Sequence, residues 1–472
     1  MLRPWKLEIQ LDHKSGKAIY LQIADAVIAD IQSGRLKKGT ALPGSRTLAQ
    51  DLQVNRNTVV EALNVLLNEE WLVSRERKGI FVSDVLPALR KSRSSQRSPK
   101  MDDVEKDSCR IHFDDGHPDS RIAPVAELAR AYRQIFNRKA KWQMMGYGNE
   151  LGDMEFRKAI VQMLNLQRGL KLDEHMICIT RGSQMATYLA AQCLIEKGDV
   201  VLVENPGYQP AWKAFESAGA KLIPLGVDQN GLIVEDIEAI LKRNKRVKAV
   251  YTTPHRQYPT TVMLSLQRRL ELIKLSNKYA FTIIEDDYDN EFHFGYRPIM
   301  PLSSYPELKN YIYIGTFSKV VAPALRIGYL SSNDPSFIKR VGALRKIIDV
   351  QSDNIMEQAI LELIRDGTLK RHIRKATQHY KLKRDQVAGL LDQYLKNKAD
   401  YIVPEGGLAF WITPKKETDW KKVSERLRKK GIKISTPELY SFKEPVNGLR
   451  LGYGSLTEAQ LEEGLKILGE CL

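Results

Sequence analysis

Cysteine is scarce in this chain, with four in 472 residues, and Cys109, Cys178, Cys193 and Cys471 form no CxxC pair. The eight histidines form no HExxH. A disulfide framework and a zinc site are therefore not expected, and the thiols should be reduced. No uncharged apolar run reaches the roughly 18 residues that a membrane helix needs, and Met1 to Glu8 holds no apolar signal core. The expected setting is the cytoplasm, with no membrane partner. No internal repeat shows, and 472 residues are too many for one ordinary core, so two or three domains are expected. What the chain has in excess is positive charge, +16 overall, with 17 Lys and Arg against 10 Asp and Glu in residues 1–100. An excess concentrated at the front raises the odds of a polyanionic partner there.

The front reads as a small helical domain. Ile19, Ile23, Val27 and Ile31 make a helical stripe that stops near Ser33-Gly34. Ser45 is placed to cap a short second helix bearing Leu48, Ala49 and Leu52, and Val54-Asn55 turns into a third with Val59, Leu63 and Leu66 inward. Two short helices joined by a tight turn suggest a helix-turn-helix. The outward residues of the third helix, Asn55, Arg56, Asn57, Thr58, Glu61 and Asn64, are polar groups suited to base edges and phosphates in a major groove. Trp71 to Val73 and Ile80 to Val82 are β-like runs joined by the basic Ser74 to Gly79, a hairpin suited to lie along a phosphate backbone. A solvated three-helix domain would also show a polar face. Residues 84–110, rich in Ser, Pro and charge without hydrophobic period, read as a flexible basic linker.

From Ile111 onward strands alternate with long helical patterns, as in an α/β domain with a mainly parallel sheet. Strands are expected at 176–179, 200–204, 221–224, 249–252, 282–285, 311–315 and 327–330. Ligands of such sheets gather beyond the carboxyl ends of the strands. There the sequence places Gly182-Ser183-Gln184 at a helix start, Tyr208, the loop Thr252 to Pro259, Asp286 and Tyr288, then Thr316, Ser318, Lys319 and Arg326. A carboxylate to pair a ring nitrogen and an amine to form a Schiff base are what a protein supplies to pyridoxal phosphate (PLP). Taken singly, Lys319 reads as one surface lysine among many and Asp286 as a turn residue. Beyond Val341, amphipathic patterns lead to a smaller α+β unit with strands near 401–403, 408–412, 432–435 and 449–451.

Residues 18–83, with Leu42 to Arg46, Val54 to Val59 and Lys78 to Val82, resemble the winged helix-turn-helix of GntR-type bacterial regulators. That resemblance implies DNA contacts by Arg46, Arg56, Asn57, Thr58, Lys78 and Gly79. Gly44 stands where the family often has Ser, and Trp71 where a small turn residue is usual. Residues 111–472 resemble fold type I aminotransferases, most specifically over Ile283 to Phe292 and Gly315 to Arg326, and the combination is similar to the MocR/GabR group. The resemblance implies PLP held at Lys319 as an internal aldimine, with Asp286 on the pyridine N–H, Tyr288 on the ring phenolate oxygen and Tyr208 stacked on the ring. It gives the phosphate to Ser183, Gln184, Thr316, Ser318 and Arg326, with Tyr147 contributed by the neighbouring subunit of a homodimer. Arg450 is implied as a clamp for a ligand carboxylate, with a structural salt bridge as the other reading. Where aminotransferases carry Asn-Pro beside the ring oxygen this chain has Tyr258-Pro259, and Thr261 replaces the Gly that ends that loop.

The expected molecule is multidomain: a winged helix-turn-helix over 1–83, a linker over 84–110, and a PLP-binding aminotransferase-like domain over 111–472, large part about 111–340 and small part about 341–472. The expected function is a PLP-dependent transcription regulator that binds double-stranded operator DNA and senses a small amine, an amino acid or PLP itself, with at most slow transamination. The alternative is a working aminotransferase with an accessory DNA-binding domain.

Overall fold

The computed structural model describes residues 5–76, 78–86, 109–137, 142, 145–289, 291–295 and 300–472. Most of the expected linker lies outside them. The chain divides into two compact units, Met1–Glu105 and Lys106–Leu472.

In the first unit α1 (Ile19–Gln32), α2 (Ser45–Asp51) and α3 (Arg56–Asn68) precede an antiparallel hairpin, β1 (Leu72–Arg75) and β2 (Gly79–Val82). Ile23, Val27, Ile31, Leu48, Val59, Leu63 and Leu66 are buried together, and the helical stripes meet in one core as expected. The Ser45 cap is not there: Gly44 is the N-cap of α2 and Ser45 is the first helical residue. The cap that does form is at α3, where the Asn55 side chain accepts from the Asn57 amide at 2.8 Å. Trp71 is buried rather than part of the hairpin strand.

The second unit opens with β3 (Ile111–Phe113), α4 (Val125–Asn137), α5 (Met154–Arg168), β4 (Ile177–Thr180) and α6 (Ser183–Leu194). It continues with β5 (Val200–Asn205), α7 (Gln209–Ser217), β6 (Lys221–Asp228), β7 (Gly231–Leu232), α8 (Ile237–Arg243), β8 (Val247–Thr252) and α9 (Leu266–Tyr279). Then come β9 (Thr282–Asp286), β10 (Tyr311–Thr316), β11 (Gly328–Ser332), α10 (Pro335–Ile348), α11 (Asn354–Arg365) and α12 (Thr368–Leu395). The last elements are β12 (Ala399–Tyr401), β13 (Ala409–Pro414), α13 (Trp420–Lys429), β14 (Ile432–Ile434), β15 (Leu449–Gly452) and α14 (Glu458–Cys471).

The main sheet has eight strands in the order β4-β11-β10-β9-β8-β5-β6-β7. From β10 through β6 neighbours run parallel, and β11, between β10 and β4, runs antiparallel to both. Strands β4, β10 and β11 are buried along their whole length, which is why they read as continuous apolar or small runs rather than alternating ones. The small part is organised by the antiparallel β12-β13-β15 sheet. Its boundaries differ from the expectation in two ways. β3 pairs in parallel with β14, so Ile111 and Phe113 belong to the small part's core. Conversely Ala359 to Leu363 of α11 pack into the large part's core. The chain crosses between the cores from Phe113 to Ala131, and again within α12, from Leu369 in the large core to Val387 in the small one.

Candidate functional site

Neighbouring strand ends form one wall of a cavity of about 180 Å³. Asp286 is the last residue of β9 and lies opposite Ile314 of β10. Three residues beyond β10, Lys319 sits on a tight turn in which the Ser318 amide donates to Thr316 Oγ1 at 3.1 Å and the Val320 amide to the Phe317 carbonyl at 3.1 Å. Parallel register thus brings the carboxylate and the amine to the same end of the sheet. Arg326, in the left-handed region at φ +52°, turns back to donate from Nη2 to the Arg181 carbonyl at 3.0 Å. A Cβ on Gly182 would lie 2.8 Å from that nitrogen, so the approach of the guanidinium to the start of α6 requires glycine there. Tyr208, Tyr251, Thr253, Tyr258 and Tyr288 supply the other walls, with Asp115, His117 and Pro118 from the segment after β3.

Asp286 is buried. Its Oδ2 accepts from the Tyr251 hydroxyl at 2.8 Å, while Oδ1 is buried with no hydrogen-bond partner. Burial pushes its pKa up to about 7, with the Tyr251 hydrogen bond opposing that rise. Ser318 Oγ is likewise buried and unpartnered. Native proteins seldom leave such atoms unpaired without a use for them. A carboxylate oxygen awaiting a donor, an amine on the adjacent strand end, and a hydroxyl and a guanidinium beside a helix N-terminus fit pyridoxal phosphate: ring nitrogen, aldehyde carbon and phosphate respectively.

Of the residues expected at this site, Lys319, Asp286, Tyr288, Tyr208, Ser183, Thr316, Ser318 and Arg326 line the cavity. The others fall elsewhere. Gln184 is turned aside and donates from Nε2 to the Pro210 carbonyl at 2.9 Å. Tyr147 is 90% exposed and does not line its own chain's cavity. Arg450, 2% exposed, lies behind Tyr258, its guanidinium 4.9 Å from that ring's centroid. Two hydroxyls inside the cavity are already engaged: Thr316 Oγ1 donates to the Ile327 carbonyl at 3.1 Å, and Tyr288 Oη to the Arg256 carbonyl at 3.1 Å. The Tyr288 ring instead faces Lys319, whose Nζ is 4.8 Å from the centroid. Sequence reasoning missed Tyr251, Asp115 and His117. Tyr251 was visible only as the body of a strand, and the other two follow a three-residue strand outside any motif.

The raised carboxylates make a pH prediction. The folded, cofactor-free protein keeps on Asp286 a proton that the unfolded chain releases near pH 4, so stability falls as pH rises from about 4 to about 7 and then levels. Glu291 and Glu357, also pushed up to about 7 chiefly by burial, add to the same fall. Asp287, lowered mainly by His255 and Arg168 against its burial, acts below that window. The melting temperature of cofactor-free protein should drop from pH 5 to pH 8, and Asp286→Asn should flatten part of the slope. An unchanged slope would exclude Asp286 as a contributor.

In the first unit, Arg46 on α2 and Arg56 and Asn57 at the start of α3 are exposed, and Thr58 is half-buried. Arg56 Nε reaches Ser45 Oγ at 3.4 Å, tying the exposed end of α3 to α2. Lys78 and Gly79 are exposed on the hairpin, Gly79 at φ +108° where the chain enters β2 opposite Arg75. The unit thus carries an exposed helix N-terminus with Arg and Asn, and a basic hairpin.

Among the described residues, no helix is long and apolar enough to cross a membrane, and no group of three or more His, Cys, Asp or Glu could hold a metal ion.

Residues 112–468 match the family model for aminotransferase class I and II, and residues 19–82 match that for bacterial regulatory proteins of the gntR family. The chain is 26% identical to the probable rhizopine catabolism regulatory protein MocR of Rhizobium meliloti, over 97% of this chain and 94% of that one. It is 28% identical to aromatic-amino-acid aminotransferase 1 of Thermococcus litoralis, over 76% of this chain and 86% of that one. Among solved structures, Pyrococcus horikoshii kynurenine aminotransferase, in complex with PMP, superposes with a TM-score of 0.73 at 30% identity, covering 78% of this chain and 91% of that one.

Proposed function

We propose that this chain, which belongs to the aminotransferase class I and II family and carries a gntR-type DNA-binding domain ahead of it as MocR-type regulators do, converts occupancy of its cofactor pocket by an amine or amino acid into a change in operator binding. It is a DNA-binding regulator, and its cofactor is pyridoxal phosphate. The observation that carries the sensing role is the presence, in one chain, of an exposed helix N-terminus with a basic wing and a pocket with unpartnered Asp286 Oδ1 and Ser318 Oγ.

The cofactor supplies an aldehyde that condenses with amines and a ring that withdraws electrons from what it binds. The protein's part is to hold and orient. Lys319 offers the amine, and the unpartnered Oδ1 of Asp286 offers the partner for the ring nitrogen. Arg326, Ser183 and Ser318 bind the phosphate at the start of α6. Tyr208 packs against the ring. Tyr258 stands where turnover chemistry would use an Asn, its ring edge-on to Tyr208 at 5.2 Å and to Tyr288 at 6.2 Å between centroids. Tyr258 in that place removes the hydrogen bond that an Asn would give the cofactor oxygen, which disfavours efficient turnover. The working unit is a homodimer in which Tyr147 reaches the other subunit's phosphate. In support, Tyr147 is 90% exposed and Ile347, at the end of α10, is 82% exposed.

Regulation requires that the ligand prefer one arrangement of the protein. The test titrates amines and amino acids against the visible absorbance of the bound cofactor, with operator affinity followed at one stated salt concentration. An effector that changes the spectrum should change operator affinity about five-fold or more. Spectral changes with operator affinity constant throughout would refute sensing. Turnover of an amino donor with a keto acid at rates typical of enzymes, roughly 1 s⁻¹ or above, would instead favour the aminotransferase reading, which retention of Lys319 and Asp286 in the pocket supports.

A further inference from the structure

We infer that Asp115 is the resident carboxylate of Arg450, pairing with it in the ligand-free protein, and that a ligand carboxylate binds by taking its place. This rests on the sensor reading above.

Arg450 emerges from β15 into a fully enclosed position, 2% exposed. It donates from Nε to the Asp115 carbonyl at 3.2 Å, from Nη1 to the Pro259 carbonyl at 3.0 Å and from Nη2 to the Tyr288 hydroxyl at 3.4 Å. A guanidinium has five N–H donors, so these neutral acceptors leave donors unspent. They also leave its charge uncompensated, and a buried charge without a counter-ion is costly. The carboxylate that pairs with it is Asp115, with Oδ1 3.5 Å from Nε.

That pairing is lopsided. Oδ1 of Asp115 is buried yet has no hydrogen-bond partner, so it holds Arg450 by charge alone. Asp115 lines the cavity and its side chain is 38% exposed, against 2% for Arg450. The arginine needs a counter-ion wherever the carboxylate goes, whereas Asp115, partly exposed, gives up only its contact with the Tyr258 hydroxyl on turning to water. A ligand carboxylate able to form the two-pronged bond that Asp115 lacks will displace it. An amine with no carboxylate leaves the pair intact and gains nothing from Arg450. Asp115 therefore sets a threshold: it weakens every carboxylate ligand by competition and leaves simple amines alone.

The test uses the full chain loaded with pyridoxal phosphate. Half-saturation is read from the cofactor's visible absorbance for the standard amino acids and 4-aminobutanoate, each beside its counterpart without the carboxylate, such as L-alanine beside ethylamine. Asp115→Asn should lower half-saturation for the amino acids about two- to five-fold, the range expected from removing one partly exposed ion pair, while the matched amines stay unchanged. Asp115→Glu, which keeps a carboxylate within reach of Arg450, should behave as wild type. Asp115→Ala repeats the measurement if Asp115→Asn does not fold. Equal tightening of amines and amino acids, or no tightening of either, would overturn the inference while leaving the sensor reading in place. If no amino acid changes the spectrum of wild type or variants, the sensor reading fails along with it.

Discussion

Lys319→Ala protein should fold, bind operator DNA, and lose its pyridoxal phosphate on gel filtration, with affinity for the cofactor lower by about a hundred-fold or more, roughly 3 kcal/mol. Folding should survive because Lys319 lies on a turn beyond β10, outside the apolar core clusters, with its amine over the face of Tyr288, 4.8 Å from the ring centroid. The loss should be large because a covalent bond is replaced by noncovalent contacts alone: one carboxylate oxygen of Asp286, the Arg326 guanidinium and the start of α6. Absorbance of the eluted protein and its melting temperature check the two halves separately. Stoichiometric cofactor on the alanine protein would remove Lys319 from its assigned role. The same variant also bears on signalling. If an effector still altered the operator affinity of cofactor-free Lys319→Ala, the signal would not pass through this pocket.

The parts of this site legible in the sequence are those fixed by backbone direction. Runs of buried parallel strand must end at the same edge, so residues at or just past their ends, Asp286 closing β9 and Lys319 following β10, could be placed together from their positions alone. Side-chain destinations were not legible in that way. The hydroxyl of Tyr251 reaches Asp286 from the adjacent β8, and only the register of the sheet sets that pair. Gln184 follows Ser183 at the same helix start, yet the Pro210 carbonyl of α7 captures its amide, a competitor 26 residues away. Asp115 acquires its meaning from Arg450, 335 residues later, because β3 threads into the small part instead of the large one. In the first unit the helical stripes gave the core, but α2 begins one residue too early for Ser45 to cap it. That hydroxyl accepts from Arg56 instead.

That Ser45 contact bears on the second large effect. Changing Arg56 and Asn57 together to alanine should lower operator affinity about a hundred-fold and bring it close to the affinity for random DNA. Both are exposed at the start of α3, the end that a recognition helix presents to base edges in the major groove and that we propose reads the operator. A bidentate contact from Arg to guanine or from Asn to adenine discriminates by roughly 1–3 kcal/mol, so two of them account for the loss. Holding Arg56 against Ser45 before DNA arrives reduces the side-chain freedom surrendered on binding. Ser45→Ala should therefore cost a smaller amount in the same direction. The wing is expected to act differently. Lys78→Ala should weaken operator and random DNA alike and lower the slope of log affinity against log salt by about one, as a lost phosphate contact does. Fluorescence anisotropy with operator and scrambled duplexes, at several salt concentrations, separates the two patterns. If the Arg56, Asn57 variant lost affinity equally for both duplexes, α3 would be gripping the backbone and some other element would read the bases.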